Sequence, residues 1–151
     1  MNPHLINDLA VAVALPFRTD AQSNALLMTG AGHCQVFFRL RDEQDNERPR
    51  LGKLSFAHSW ATGSFGLEGG GIFVRADSSS FDFLCRIENS SWLEQCTKTR
   101  VARYPDWLAW DKRVYHHFVF SGHDNYVQII AERFEAAIAT EVENELFYAL
   151  C

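Results

Sequence analysis

Along most of this chain hydrophobic residues recur at every second position, the period of half-buried β-strands. The cleanest run sets Val114, His116, Phe118 and Phe120 on one face against Tyr115, His117, Val119 and Ser121 on the other. Gly122, His123, Asp124 and Asn125 are turn formers, and Val127, Ile129 and Ala131 form the inner face of a returning strand. The prediction is a β-hairpin. A second hairpin is predicted from Cys34, Val36, Phe38 and Leu40, which alternate with Gln35, Phe37 and Arg39. Leu54, Phe56 and His58 answer them across the polar loop 41–49. Phe81, Phe83, Cys85 and Ile87 alternate with Asp82, Leu84, Arg86 and Glu88 as a further strand.

Helical spacing is confined to shorter stretches. Asn2-Pro3 resembles an N-cap with proline at the first helical position, and Leu5, Ile6, Leu9, Ala10 and Val13 predict a helix over 3–14. Val11–Leu15 also alternates, which supports a competing strand. Residues 18–33 read as a connection with one helical turn near Ala25–Met28. Ser91 and Glu94 have capping-box spacing, predicting a helix from Trp92 to Lys98 with Trp92, Leu93 and Cys96 inward. Ile138, Val142, Leu146 and Ala149 predict a C-terminal helix over 136–150. Tyr126, Ile130, Phe134 and Ile138 are also spaced for one long helix from 124. The β-branched Val127, Ile129 and Ile130 after turn residues favour strand and then helix. The expected architecture is α+β: a single domain over 1–151 with an antiparallel, aromatic-rich sheet of five or six strands and two or three helices on one face.

Composition sharpens this picture. The 151 residues are 47% hydrophobic and 22% charged, an ordinary globular balance, and 12 Phe with 4 Trp argue for a β-rich aromatic core. The formal net charge is −5, and the basic residues concentrate only at Arg39/Arg41, Arg48/Arg50/Lys53 and Lys98/Arg100/Arg103. Phosphate binding needs clustered cations, so nucleic acid is not the expected partner. Cys34, Cys85, Cys96 and Cys151 contain no Cys-x-x-Cys, which argues against a zinc ribbon or thioredoxin-like site. No secretory signal is readable, and no run approaches membrane-spanning length. The expected setting is the reducing cytoplasm, away from membranes.

Candidate chemistry gathers at the first hairpin. On a strand His116 and His117 point to opposite faces, so both cannot ligate one metal. The chemical reading groups His117, His123 and Asp124, with His33 or His58 as remote partners. The plain reading packs His116 in the aromatic core and leaves His123 and Asp124 to stabilise the turn. No His-x-x-x-His or His-Glu-x-x-His spacing supports a metal, and no cofactor is expected. Glycines at 63, 66 and 69–71 precede a strand rather than a helix, so they read as a loop and not as a phosphate cradle. Cys34 and Cys85 sit on apolar phases, as inert thiols do, and Ser121, His123 and Asp124 are too close in sequence to form a triad. Trp107 and Trp110, at a short Pro-containing connection, suit either a partner surface or the closed edge of a core.

Glu88-Asn-Ser-Ser-Trp-Leu93 together with His117–Ala131 resembles a small, uncharacterised bacterial protein family that pairs an NSxW helix start with a HY/F…HD…FE.IA hairpin. The likeness covers residues 87–132 and departs at Gln128, where that family carries Glu. It implies a hairpin and a bacterial cytosolic protein. Separately, the negative charge, small size, aromatic residues and lack of a catalytic constellation give the expectation of a non-enzymatic binding, immunity or accessory protein acting on a protein partner. The alternative is a small metal-dependent enzyme or metal-binding domain using His117, His123 and Asp124.

Overall fold

A computed structural model describes residues 8–42, 44, 47–66, 75–76 and 83–150. It contains, in order, β1 (Leu9–Ala12), β2 (Leu26–Gly30), β3 (His33–Arg39), β4 (Leu51–Ala57), β5 (Ala61–Gly66), β6 (Arg75–Ala76) and β7 (Leu84–Glu88). There follow α1 (Ser91–Arg103), α2 (Trp107–Trp110), β8 (His116–Ser121), β9 (Asn125–Ala131), β10 (Arg133–Ile138) and α3 (Glu141–Leu150). The class is α+β, as expected, with the strands divided between two sheets. The first has the order β5-β9-β8-β7-β1-β6 and the second β10-β4-β3-β2. Neighbours are antiparallel except for the short parallel pair β1 and β6.

Both predicted hairpins form, and their inner faces meet. Cys34, Val36, Phe38, Leu54 and Phe56 of the second sheet pack on Phe118, Phe120, Val127, Ile129 and Ala131 of the first. Phe38 stacks on Phe120 with ring centroids 4.4 Å apart, and Phe56 tilts against Phe118 at 5.4 Å. Aromatic side chains bury large areas in rigid shapes, so these contacts set the sheet-to-sheet spacing. Gly52 lies opposite Phe38 on β3. A Cβ at Gly52 would come within 2.5 Å of the Phe38 ring, so the position admits only glycine without repacking.

Two strand pairs turn the corner between sheets together. β4 pairs with β10 in the second sheet, and their continuations β5 and β9 pair in the first. Trp60 N donates to Ile130 O and Glu132 N to Ala57 O, carrying the ladder around the bend. His58 takes a positive φ of 55° there, and its Nδ1 lies 2.8 Å from a Glu132 carboxylate oxygen. Three helices complete the molecule. α1 and α2 lie on the outer side of the first sheet, where Trp92 meets His117 edge-on at 4.9 Å. α3 covers the outer side of the second sheet, with Phe147 packed among Phe37, Leu51 and Ala139.

Five local expectations are corrected. The helix over 3–14 gives way to β1, because Leu9–Ala12 pairs in extended form with β7. Val13, Leu15 and Phe17 continue at strand spacing into the main core, while residues 3–7 lie outside the described residues. The helical turn at Ala25–Met28 is β2, recruited by pairing with β3. α1 starts one residue early and runs to Arg103, because Ser90 rather than Ser91 caps it, its Oγ accepting from Leu93 N at 3.0 Å. The C-terminal helix begins only at Glu141, since residues 133–138 form β10. Its start is a capping box in which Glu143 N donates to Thr140 Oγ1 and Thr140 N to Glu143 Oε1. It buries Phe147, not the Ile138, Val142, Leu146 and Ala149 face. Gly63 and Gly66, read as a loop, lie instead in β5, held in extended form by pairing with β9, while Gly69–Gly71, Phe81 and Asp82 lie outside the described residues.

Candidate functional site

The last turn of α1 carries Arg100 and Arg103, cations suited to the negative end of a helix dipole. Arg100 reaches across to Asp111, which ends α2, and its Nη2 lies 2.9 Å from Asp111 Oδ2. The guanidinium also stacks on aromatic faces, with Cζ 4.4 Å from the Trp107 centroid, 4.6 Å from Trp60, 5.2 Å from Trp110 and 5.5 Å from Tyr115. Trp60 and Tyr115 stack on each other at 4.9 Å. Arg100 Nη1 has no hydrogen-bond partner among the described residues, and ring faces are what the guanidinium meets instead.

Asp111 is the hub beneath this cage. Tyr115 OH donates to its Oδ2 at 2.5 Å, and Arg113 N donates to its Oδ1 at 3.1 Å. Burial alone would push the carboxyl up, but the Tyr115 hydroxyl, the Arg113 amide and Arg100 outweigh it and hold it down at about 2. A buried charge is stable only when paired and hydrogen-bonded, and Asp111 has both. The cage therefore locks the end of α1, α2 and the approach to β8 to the β4–β5 corner through Trp60.

On this locked base large apolar side chains face solvent. Tyr104 is 47% exposed, Leu108 60% and Trp110 58%, with Tyr104 and Trp110 in edge-to-face contact at 6.3 Å. The two candidate tryptophans thus separate. Trp107 is buried inside the cage, and Trp110 is an outward-facing wall of it. From Lys98 to Arg113 there are five Lys/Arg against two Asp, in a chain of net charge −5. Neither Arg103 nor Lys112 forms an ion pair among the described residues, although Arg103 lies over the Tyr104 ring at 5.5 Å. The surface is both aromatic and basic.

The histidine group does not converge. His117 lies at the α1 end of β8, while His123 and Asp124 lie at the hairpin turn beyond its other end. His123 and Asp124 form an exposed pair at 3.0 Å. Their backbone amides clamp the turn to the chain before β2, His123 N to Ser23 O and Asp124 N to Asn24 Oδ1. Among the described residues no group of three or more His, Cys, Asp or Glu is placed to hold a metal.

His117 itself is fully buried and bonded at both nitrogens, Nδ1 to Ser90 Oγ at 2.7 Å and Nε2 to Gln128 Oε1 at 2.7 Å. The Gln128 oxygen can only accept, so Nε2 carries the proton and Ser90 donates to Nδ1. Burial pushes this imidazole down to about 4, against the raising effect of Gln128. Ser90, His117 and Gln128 thus have triad-like connectivity but the wrong electrostatics for nucleophilic catalysis. Gln128 brings no charge to stabilise an imidazolium, and the buried Asp8 carboxylate, bonded to Ser91 N at 2.9 Å, would oppose an oxyanion at the start of α1. The network ties the β7–α1 turn to β8 and β9. Cys34 is buried, and desolvation raises its thiol to about 11, so it is no ready nucleophile.

Sequence reasoning found Trp107 and Trp110 but missed Arg100, Asp111, Tyr115 and Trp60 as their partners. The basic end of α1 was visible, but nothing local connects it with Trp60 in the β4–β5 connection. No protein-family model, curated protein or solved structure matches this chain.

Proposed function

We propose that this chain is a binding protein that engages a protein partner through the surface formed by the end of α1 and α2. The observation that carries the reading is Trp110, a wall of the Arg100–Asp111 cage, exposed together with Tyr104, which it meets edge-to-face, with Leu108 also exposed on α2. Contiguous exposed apolar surface marks interaction sites, and Trp, Tyr and Arg dominate binding energetics where a rigid base limits the ordering cost. A bacterial cytoplasmic immunity or accessory role, masking a partner, is the corresponding biological reading. Among the described residues no helix is long and apolar enough to cross a membrane.

The test is to identify proteins that co-purify with the chain and then measure each purified complex with the wild type and with Trp110→Ala. Loss of a central aromatic anchor is expected to weaken binding by about 2 kcal/mol, roughly thirty-fold. Partners that bind Trp110→Ala and Tyr104→Ala as tightly as the wild type would defeat the proposal.

A further inference from the structure

A second apolar surface stands on the opposite side of the sandwich. Val142 is 76% exposed, Leu146 40% and Leu150 64%, and their spacing of four places them along one stripe of α3. Glu141 and Glu145 flank that stripe on the helix surface and form no ion pair among the described residues. Glu143 instead faces the sheet, where burial pushes its carboxyl up but the Thr140 bonds and Lys53, 2.9 Å away, outweigh this and hold it below the usual range. α3 therefore presents an acidic, apolar helix face.

The stretch that carries Tyr104, Leu108 and Trp110 has the opposite balance, with Arg103 over the Tyr104 ring and Lys112 just after α2, neither in an ion pair among the described residues, against the single exposed acid Asp106. The two cannot meet within one molecule. α1 lies outside the first sheet, over His117, and α3 lies outside the second, over Phe37 and Leu51. From this complementarity we infer that the partner of the α1–α2 surface is a second copy of this chain, whose α3 lays its apolar stripe against Trp110 and Leu108. The inference rests on the proposal that the α1–α2 surface is a binding site.

Such a contact is heterologous: each copy uses two different patches, so association continues head to tail until a ring closes or a filament grows. Burying Val142, Leu146 and Leu150 against Leu108 and Trp110 removes both exposed apolar faces from water. Glu141 and Glu145 then lie near Arg103 and Lys112, which favours this pairing over like-charged alternatives and makes it weaken with salt.

Sedimentation velocity of the full chain over a concentration series tests this directly. The wild type should gain mass with concentration and lose it as salt rises. Trp110→Glu and the double variant Val142→Glu/Leu146→Glu should each remain monomeric, and circular dichroism should confirm that both are folded. Mixed together they should form a particle of twice the monomer mass, because one carries an intact α3 and the other an intact α1–α2 surface. A wild type that stays monomeric at every concentration, or associating wild type with variants that fail to complement, would overturn the inference. The parent proposal fails separately. A partner of other origin that binds the α3 variant but not Trp110→Glu would preserve the α1–α2 site and remove only the second copy as its occupant.

Discussion

Arg100 pairs with Asp111 at 2.9 Å, and this contact joins the end of α1 to the end of α2 beneath four aromatic rings. The Asp111 side chain is only 1% exposed, and without Arg100 its carboxylate keeps only Arg113, 3.3 Å away, and the Tyr115 hydroxyl as side-chain partners. Arg100→Ala is expected to destabilise by roughly 2 kcal/mol, the loss of one charge-assisted bond, because Arg113 and Tyr115 still partner the carboxylate. In a double-mutant cycle, adding Asp111→Ala should cost less than it does in the wild type, since the bond the two residues share is already lost. Urea midpoints read the cycle, and simple additivity would mean that the pair is not coupled.

His117 makes stability depend on pH. Its imidazole titrates near 6.5 when unfolded and at about 4 in the folded chain, so between those values the unfolded state binds more protons. Stability is therefore full above the unfolded value and falls as pH drops from 6.5 towards 4, by about 3 kcal/mol over the window. His117→Gln, which cannot titrate, should show a much flatter profile between pH 6.5 and 4. Asp111 has a depressed value of about 2, so its contribution persists through that window and is lost only as pH falls from about 4 towards 2. Urea unfolding at a series of pH values separates the two groups, and an unchanged slope in His117→Gln would contradict the assignment.

The packing of Gly52 beneath Phe38 predicts a contrast between two glycines. Gly52→Ala places a methyl 2.5 Å from a stacked aromatic ring and should destabilise by about 1–3 kcal/mol through overpacking. A Cβ at Gly30, in β2, meets nothing within 4 Å, so Gly30→Ala should change stability by less than about 0.5 kcal/mol. Thermal unfolding of the two variants side by side would refute the inner-face register if their losses were equal.

The two helix caps differ in what they hold, and the difference is measurable. Thr140→Ala removes a solvent-exposed cap and should cost about 1 kcal/mol. Ser90→Ala removes a cap and also leaves buried His117 Nδ1 without its donor, which adds a desolvation penalty of about 1–3 kcal/mol. Equal losses in chemical denaturation would show that the bond from Ser90 to His117 contributes little.

How far the sequence could be read follows from how local each signal is. The β8–β9 hairpin was legible because its alternation and turn residues lie within one short stretch. β10 was not, because the bend at Glu132 breaks the pattern and the strand exists only through its pairing with β4. Val13, Leu15 and Phe17 carried strand spacing, yet Leu5, Ile6, Leu9 and Val13 fit a helix equally well, and pairing with β7 decides between them. Adjacent serines at 90 and 91 both suit a cap. The choice rests on His117 and Asp8, which lie far away in sequence. The division of the strands into two sheets depends on the corner at His58 and Glu132, which no periodicity announces. At the candidate site Trp107 and Trp110 were visible as a pair, but the split between buried and exposed roles is imposed by Arg100 and Trp60.

The α1–α2 surface as a contact site is tested most directly by a photo-crosslinking side chain introduced at Leu108, with the same group at Asp124 as a control. Both positions are exposed, and they lie on different elements. Illumination should give a discrete adduct from position 108 that disappears when Trp110→Glu is added, and little or none from position 124. Equal labelling from both positions, or an adduct at 108 that survives Trp110→Glu, would contradict the account.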